Sequence, residues 1–147
     1  MIRLFIADVS GLDIDACLAS VSPQRREKTL RLKNDDDKRR SLGVELLLEK
    51  AAGRSDYALT ENGKPFFPDG GAYFSLSHCG KYAVCAVSGV PVGADIELAR
   101  DNALSLAERF FMPDEAALVE RSLTPEAEFC RLWTLKESYI KCADLRL

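Results

Sequence analysis

Two short segments with strand-like composition, separated by three residues, constrain the fold more than any other feature of the sequence. Residues 73–78 and 82–87 are rich in aromatic, β-branched and small residues, and Cys79-Gly80-Lys81 lies between them. Strands joined by so short a connection pair antiparallel as a hairpin. Residues 2–8 and 92–98 have a similar composition and are predicted as further strands.

Helical segments are predicted on both sides of these strands. Ser22-Pro23 is a helix start, because proline is tolerated at the first helical position. A second start at Asn34 leads through an apolar stretch to Gly53, a typical C-terminal stop. Further helices are predicted at about residues 12–20, 103–111, 114–121 and 126–142. The pattern predicts an α+β fold with a mainly antiparallel sheet and helices to one side.

Composition excludes several classes of protein. The 147 residues suffice for one compact domain or two small, intimately packed lobes. A formal net charge of −3 gives no electrostatic case for nucleic acid, and no apolar stretch has the length of a membrane span. The apolar N-terminal run is too short for a signal peptide. Five cysteines without a Cys-x-x-Cys pair, and the single histidine His78, indicate reduced thiols rather than a zinc site. A cytoplasmic location is therefore expected.

Asp95 and Glu97 are two carboxylates at positions i and i+2 of the predicted strand 92–98. On a strand they share one face, while Ala94, Ile96 and Leu98 lie on the other. Two carboxylates in this arrangement can hold a hard divalent cation. A solvated strand face is the alternative, and for the Asp-x-Glu pattern alone it is the favoured interpretation.

The last predicted helix places Glu137 and Lys141 four residues apart, on one helix face. An ordinary surface ion pair is the alternative interpretation. Lys136, however, falls within an apolar stripe and must extend to solvent or find a buried partner. Glu137 lies at the edge of that stripe, where partial burial would raise its pKa and suit it to act as a base.

Ser77-His78 is not predicted to be a hydrolase pair, because adjacent strand residues point to opposite faces and no Gly-x-Ser-x-Gly turn is present. The two side chains are either structural or donors to a phosphate. Glycine-rich phosphate loops are also absent. Phosphate would therefore be bound by side chains. The candidates form a basic N-terminal cluster: Arg25, Arg26, Lys28, Lys38, Arg39 and Arg40. The alternative interpretation is that these residues are ordinary solvated helix surface.

Taken in order, five motifs resemble the 4'-phosphopantetheinyl transferase superfamily, in its longer, pseudo-dimeric class that activates peptide and polyketide synthases. The resemblance covers almost the whole chain. The last three motifs are the most specific in combination. The motifs are Asn62-Gly63-Lys64-Pro65, Phe74-Ser75-Leu76-Ser77-His78, Val92-Gly93-Ala94-Asp95-Ile96-Glu97, Arg109-Phe110-Phe111, and the Trp-x-x-Lys-Glu-Ser-x-x-Lys core within residues 129–141.

The resemblance implies a reaction in which coenzyme A donates its phosphopantetheine arm to a serine of an apo acyl, peptidyl or aryl carrier protein, releasing 3',5'-ADP. It implies that Asp95, Glu97 and Glu137 bind Mg²⁺. Glu137 would also take the proton of the carrier serine, directly or through a water. Lys141 would contact the pyrophosphate as a point charge.

The resemblance also implies coenzyme A contacts in the first half of the chain. Arg39 is preferred to Arg40 because it keeps the family's four-residue step to Gly43. Lys28 and Ser77 would assist Lys141 at the pyrophosphate. The 3'-phosphate would be held by Arg25, Arg39 and His78. The adenine would be lined by Lys64 and Pro65.

The implied fold has two pseudo-symmetric α+β halves, residues 1–92 and 93–147, of which the second is incomplete. The longer class continues past the Trp-x-x-Lys-Glu motif, whereas Lys141 is followed here only by residues 142–147. Apolar surface on the last helix is therefore expected to be uncovered. The rival hypothesis is a truncated, non-catalytic remnant that binds coenzyme A or a carrier protein.

Overall fold

A three-stranded antiparallel sheet organises the first half of the computed structural model, which describes residues 1–145. The elements in chain order are β1 (Ile2–Asp8), α1 (Ile14–Ser20), α2 (Pro23–Leu30), α3 (Asp35–Ala52), β2 (Ala58–Leu59), β3 (Pro65–Phe66), β4 (Tyr73–Cys79), β5 (Tyr82–Ser88), α4 (Ala103–Phe110), α5 (Pro113–Glu120) and α6 (Pro125–Ala143). This arrangement confirms the predicted α+β class with antiparallel pairing.

The predicted hairpin forms the sheet together with the N-terminal strand. The strand order is β1-β5-β4, with β5 in the centre and all pairing antiparallel. Phe5 pairs with Cys85, and Leu76 pairs with Cys85 on the other side. Gly80 has a φ of 56°, which lets the short connection reverse the chain.

The first core lies between this sheet and α3. Leu47 and Leu48 of the helix pack against Phe74 of β4 and Cys85 of β5. Local signals fix the helix: the Asn34 side chain accepts a hydrogen bond from the Asp36 N–H, and Gly53 ends the helix with a φ of 76°. Ser22 likewise caps α2 through the Arg25 N–H. These predicted helix ends are confirmed.

A second core is formed by the three C-terminal helices. Phe111 stacks on Phe129 with ring centroids 5.1 Å apart, and Phe129 stacks on Trp133 at 5.5 Å. Val119 of α5 is fully buried beside them. This aromatic cluster holds α6 against α4 and α5, so the face of α6 that carries Glu137 and Lys141 has a defined direction. The predicted division into halves at residues 92 and 93 stays a prediction, and residues 146 and 147 of the second half lie outside the described part.

The predicted strand over Val92–Leu98 is wrong. The segment is extended, but it belongs to no strand in the described part of the chain. Its Ala94 N–H donates to the Ser75 hydroxyl, and its Ile96 N–H donates to the Ser77 hydroxyl. Side-chain oxygens of β4 therefore take the amides that a neighbouring strand would otherwise bind.

Two apolar surfaces are exposed. On α6, Leu135 and Tyr139 are 57% and 68% exposed, as expected for the last helix. On β1, Ile2, Leu4 and Ile6 point away from the first core and are also mainly exposed. None of the helices within residues 1–145 is both long enough and apolar enough to cross a membrane.

Candidate active site

Asp95, Ser77 and Lys141 meet at the junction of the two cores. The Lys141 Nζ lies 2.5 Å from Asp95 Oδ1 and donates to the Ser77 hydroxyl at 3.1 Å. The Ser77 hydroxyl in turn donates to the same Asp95 oxygen at 2.7 Å. The Asp95 side chain is only 8% exposed and is paired there with the Lys141 ammonium. The structure thus joins three of the predicted site residues from β4, the extended segment and α6.

Glu97 is held two residues further along the extended segment. Its Oε1 accepts a hydrogen bond from the Cys79 thiol at 3.0 Å and one from the Leu98 N–H, and its Oε2 pairs with Arg100 at 2.9 Å. Burial acts to raise the pKa of Glu97, but these hydrogen bonds and the Arg100 charge outweigh it and lower the pKa below its ordinary value. Glu97 is therefore ionised at neutral pH.

Glu137 differs from the other two acids in its electrostatics. Burial raises the pKa of Glu137, Lys141 acts to lower it, and the negative charges of Asp95 and Glu97 raise it further. The predicted rise in the pKa of Glu137 is confirmed in direction. Lys136, one residue earlier, pairs with Glu115 at 2.8 Å and lies over the Phe111 ring, which explains a lysine within the apolar stripe.

The three acids have the donor chemistry of a hard-metal site, because carboxylate oxygens are the ligands that Mg²⁺ prefers. Two of the three are paired with protein cations: Lys141 binds Asp95 and Arg100 binds Glu97. Within residues 1–145, no group of three or more His, Cys, Asp or Glu side chains is arranged to hold a metal ion. Assignment of Asp95, Glu97 and Glu137 as metal ligands stays a prediction.

A basic cavity lies on the opposite face of β4. It has a volume of about 230 Å³ and brings together four of the predicted coenzyme A residues: Arg25, Lys28, Pro65 and His78. Partial desolvation lowers the pKa of His78, and the positive charges of Arg40, Lys141, Lys28 and Arg25 lower it further. Desolvation and then Arg25 also lower the pKa of Lys28. An anion bound here would relieve this mutual repulsion.

Arg25 is bound within the protein. Its Nε lies 2.9 Å from Glu45 Oε2, and the two side chains are 6% and 1% exposed. Its other guanidinium nitrogens donate to the hydroxyls of Ser41 and Tyr57. The sequence missed this network, because basic character alone does not reveal a partner twenty residues away.

Arg39 and Arg40 line a separate cavity with Ser10 and Lys81. Arg39 donates to the Leu12 carbonyl and pairs with Asp36 at 2.9 Å. Arg40 donates to the Gly80 carbonyl at 2.7 Å and also pairs with Asp37. The structure does not place Arg39 in the cavity of Lys28 and His78, while the charge of Arg40 acts on His78.

Lys64 belongs to a contact that the sequence did not reveal, between the β2–β3 hairpin and the end of α6. The Lys64 Nζ donates to the Cys142 carbonyl at 2.8 Å. The Thr60 hydroxyl donates to Asp144 Oδ1 at 2.9 Å, and the Asn62 side-chain amide donates to the Asp144 carbonyl. We call residues 60–64 and their contacts to residues 142–144 the hairpin clasp. It satisfies carbonyls at the C-terminus of α6.

Comparison with known proteins identifies the family of the chain. The family model described as the 4'-phosphopantetheinyl transferase superfamily matches residues 91–147. Over 92% of its length the chain is 34% identical to a 4'-phosphopantetheinyl transferase of Bacillus subtilis, covering 65% of that protein. Over 84% of its length it is 34% identical to 4'-phosphopantetheinyl transferase Sfp of Bacillus subtilis strain 168, covering 60% of it.

A third relative is 4'-phosphopantetheinyl transferase HetI of Nostoc sp., 40% identical over 68% of this chain and 45% of that protein. These matches confirm the family that the ordered motifs predict, the 4'-phosphopantetheinyl transferase superfamily. The chain spans 65% and 60% of the length of the two Bacillus subtilis relatives.

Proposed function

We propose that the protein transfers the 4'-phosphopantetheine arm of coenzyme A to a serine of an apo acyl, peptidyl or aryl carrier protein, with Mg²⁺, in the cytoplasm. The names of its relatives support a phosphopantetheinyl transfer. The observation that carries the proposal is the environment of Glu137. Its pKa is raised by burial, and the charges of Asp95, Glu97 and Lys141 act on it. A raised pKa makes a carboxylate a stronger base and so better suited to accept the proton of a serine hydroxyl.

In this proposal, the nucleotide part of coenzyme A lies in the basic cavity and its pyrophosphate lies beside Asp95, Glu97 and Glu137. His78 would bind the 3'-phosphate, Lys28 would assist Lys141 at the pyrophosphate, and Pro65 would lie against the adenine; all three line the basic cavity. The predicted 3'-phosphate contacts of Arg25 and Arg39 require each to share its guanidinium with Glu45 or Asp36. Lys64 would reach the adenine from the hairpin clasp.

In the transfer, the carrier serine hydroxyl gives its proton to Glu137. The serine oxygen forms a bond to the phosphorus that bears the pantetheine arm, and the bond from that phosphorus to the bridging oxygen breaks, so 3',5'-ADP leaves. Lys141 would bind a pyrophosphate oxygen with help from Ser77. The Lys141 Nζ and the Ser77 hydroxyl lie within hydrogen-bond distance of each other and both donate to Asp95 Oδ1, so they can donate together to one oxygen acceptor. Asp95, Glu97 and Glu137 are the residues that would hold a divalent ion, which would supply charge neutralisation during the transfer.

Intact mass spectrometry of apo carrier proteins tests the proposal. The protein, coenzyme A and Mg²⁺ should add one phosphopantetheine to a carrier serine. Glu137→Gln should abolish turnover while coenzyme A binding, measured by calorimetry, is kept. Glu126→Gln on the exposed first turn of the same helix is the matched control and should remain active. No addition at high protein concentration across fatty-acid, polyketide and peptide-synthase carriers would refute the proposal.

The rival function is binding of coenzyme A or a carrier without transfer. The exposed Leu135 and Tyr139 on α6 favour it, because the helix that carries Glu137 lacks apolar cover on that side within the described part. Calorimetry and the mass measurement separate the two functions. Binding of coenzyme A without any mass addition would support the rival and exclude the transferase.

A further inference from the structure

Ser75 is a buried serine that none of the predicted roles includes. It lies on β4, two residues before Ser77, and is only 4% exposed. Its hydroxyl accepts a hydrogen bond from the Ala94 N–H at 3.0 Å and donates to the Ala94 carbonyl at 3.5 Å. Ser75 therefore holds both polar groups of the backbone one residue before Asp95.

Ser77 repeats this contact two residues along the strand. Its hydroxyl accepts from the Ile96 N–H at 3.4 Å and donates to Asp95. Because residues i and i+2 of a strand share a face, the two hydroxyls stand side by side along the extended segment 92–98. No backbone ladder joins that segment to β4 in residues 1–145. The two serines thus replace the ladder that would normally set its register.

The other side of the segment is closed by α6. At Gly93 a Cβ atom would stand 1.8 Å from the Ser138 carbonyl oxygen, so the segment touches the helix backbone directly. Successive residues of an extended chain face opposite sides, and a shift by one residue would turn Asp95 and Glu97 away from α6. Correct placement of both acids beside Glu137 and Lys141 therefore depends on register.

We propose that Ser75 is a positioning residue for the proposed transfer: its hydroxyl fixes the register of residues 92–98 and thereby the placement of Asp95 and Glu97. Ser75 contacts the Ala94 backbone rather than any acid, and acts through that backbone. The consequence for transfer rests on the proposed function, whereas the consequence for the segment does not. Outer contacts of metal-binding carboxylates typically change metal affinity or activity by about 10–100-fold.

The test compares Ser75→Ala and Ser75→Cys with Ser88→Ala. Ser88 is an equally buried serine on β5, and its hydroxyl accepts from the Val90 N–H, away from the segment. Ser75→Cys keeps the side-chain size but provides only a weak hydrogen-bond acceptor, so it covers the case in which the alanine variant does not fold. Amide hydrogen exchange, Mn²⁺ binding and steady-state transfer are measured for each protein.

In both Ser75 variants we expect the Ala94 and Ile96 amide hydrogens to exchange with solvent at least about 5-fold faster, which is the change in the opening equilibrium expected for the loss of one hydrogen bond. The β5 amides should stay protected. Mn²⁺ affinity and kcat should fall about 10-fold with KM for coenzyme A unchanged. Ser88→Ala should change none of these. Unchanged exchange, or faster exchange with unchanged Mn²⁺ affinity, would overturn the proposal. If the wild-type protein transfers nothing, the proposed function fails, and exchange with Mn²⁺ affinity still decides the role of Ser75.

Discussion

Gly93 and Ser138 are in direct backbone contact, which joins the acid-bearing segment to α6. A Cβ on Gly93 would stand 1.8 Å from the Ser138 carbonyl oxygen and 2.6 Å from the Cys142 nitrogen. Both neighbours are backbone atoms of a helix and cannot move aside as a flexible side chain can. The contact sets the distance between the segment with Asp95 and the helix with Lys141, whose side chains form the central ion pair.

Gly93→Ala is therefore expected to destabilise the protein. Overpacking of a tight contact costs about 1–3 kcal/mol, and here the segment must leave the helix backbone. Urea unfolding measures the change in the free energy of unfolding. Gly89→Ala is the control, since a Cβ at Gly89 would meet no atom within 4 Å. Equal stability of the two variants would contradict the contact.

Arg25→Met is expected to lower the free energy of unfolding by about 3–5 kcal/mol, because it leaves the buried Glu45 carboxylate without its counter-charge. The double variant Arg25→Met with Glu45→Leu should recover much of this loss, since no buried charge then remains. Chemical denaturation of the single and double variants gives the coupling energy. A fully additive double variant would show that the pair is not coupled.

Lys28→Met provides the contrast to Arg25. Lys28 lines the same cavity but makes no ion pair within residues 1–145, so the free energy of unfolding should change by less than about 0.5 kcal/mol. Coenzyme A affinity should nevertheless fall, because a positive charge proposed to assist at the pyrophosphate is lost. Calorimetric titration checks this, and unchanged affinity would remove Lys28 from the binding site.

Thr60→Val is expected to loosen the end of α6. The Thr60 hydroxyl donates to Asp144 and accepts from the Lys64 N–H, and losing two such hydrogen bonds costs about 1–2 kcal/mol. Faster amide exchange in the last turn of α6 should accompany the loss. Thr124→Val is the matched control, because the exposed Thr124 hydroxyl makes no capping hydrogen bond. Similar exchange in both variants would show that the hairpin clasp adds nothing.

Glu137→Gln should make stability less dependent on pH. The pKa of Glu137 is raised above its ordinary 4.5, mainly by burial, so the folded protein binds this proton more tightly than the unfolded chain. Stability from this group is present at low pH and is lost as pH rises from 4.5 through the raised pKa. The variant should be more stable than the wild type at neutral pH and gain nothing below pH 4.5. Denaturation midpoints across this range measure the difference, and a gain that is the same at every pH would contradict the raised pKa.

Features encoded by neighbouring residues were predictable from the sequence. The Ser22 and Asn34 caps and the Gly53 stop depend on side chains within a few residues, and each forms as expected. The hairpin around Gly80 also follows from local composition. The site was predicted as a set of residues because its acids and its lysine occur in ordered motifs, and the structure joins Asp95, Ser77 and Lys141.

Features that depend on distant partners were not predictable. The segment 92–98 has strand composition, but hydroxyls from Ser75 and Ser77 occupy its amides in place of a strand. Arg25 has the character of a phosphate ligand, yet its pairing with Glu45 depends on how α2 packs on α3. Single-residue patterns carry no information on which side chain a tertiary contact will supply.

The hairpin clasp makes two distant parts of the chain change together. Thr60 and Asp144 are 84 positions apart in sequence, yet the side chain of one binds the side chain of the other. An insertion between residues 60 and 64 would move the donors off the last carbonyls of α6, and an added residue in the last turn of α6 would rotate those carbonyls by about 100°. Either change requires a compensating change in the other segment. In related chains, the length of the turn and the length of the helix are therefore expected to change together.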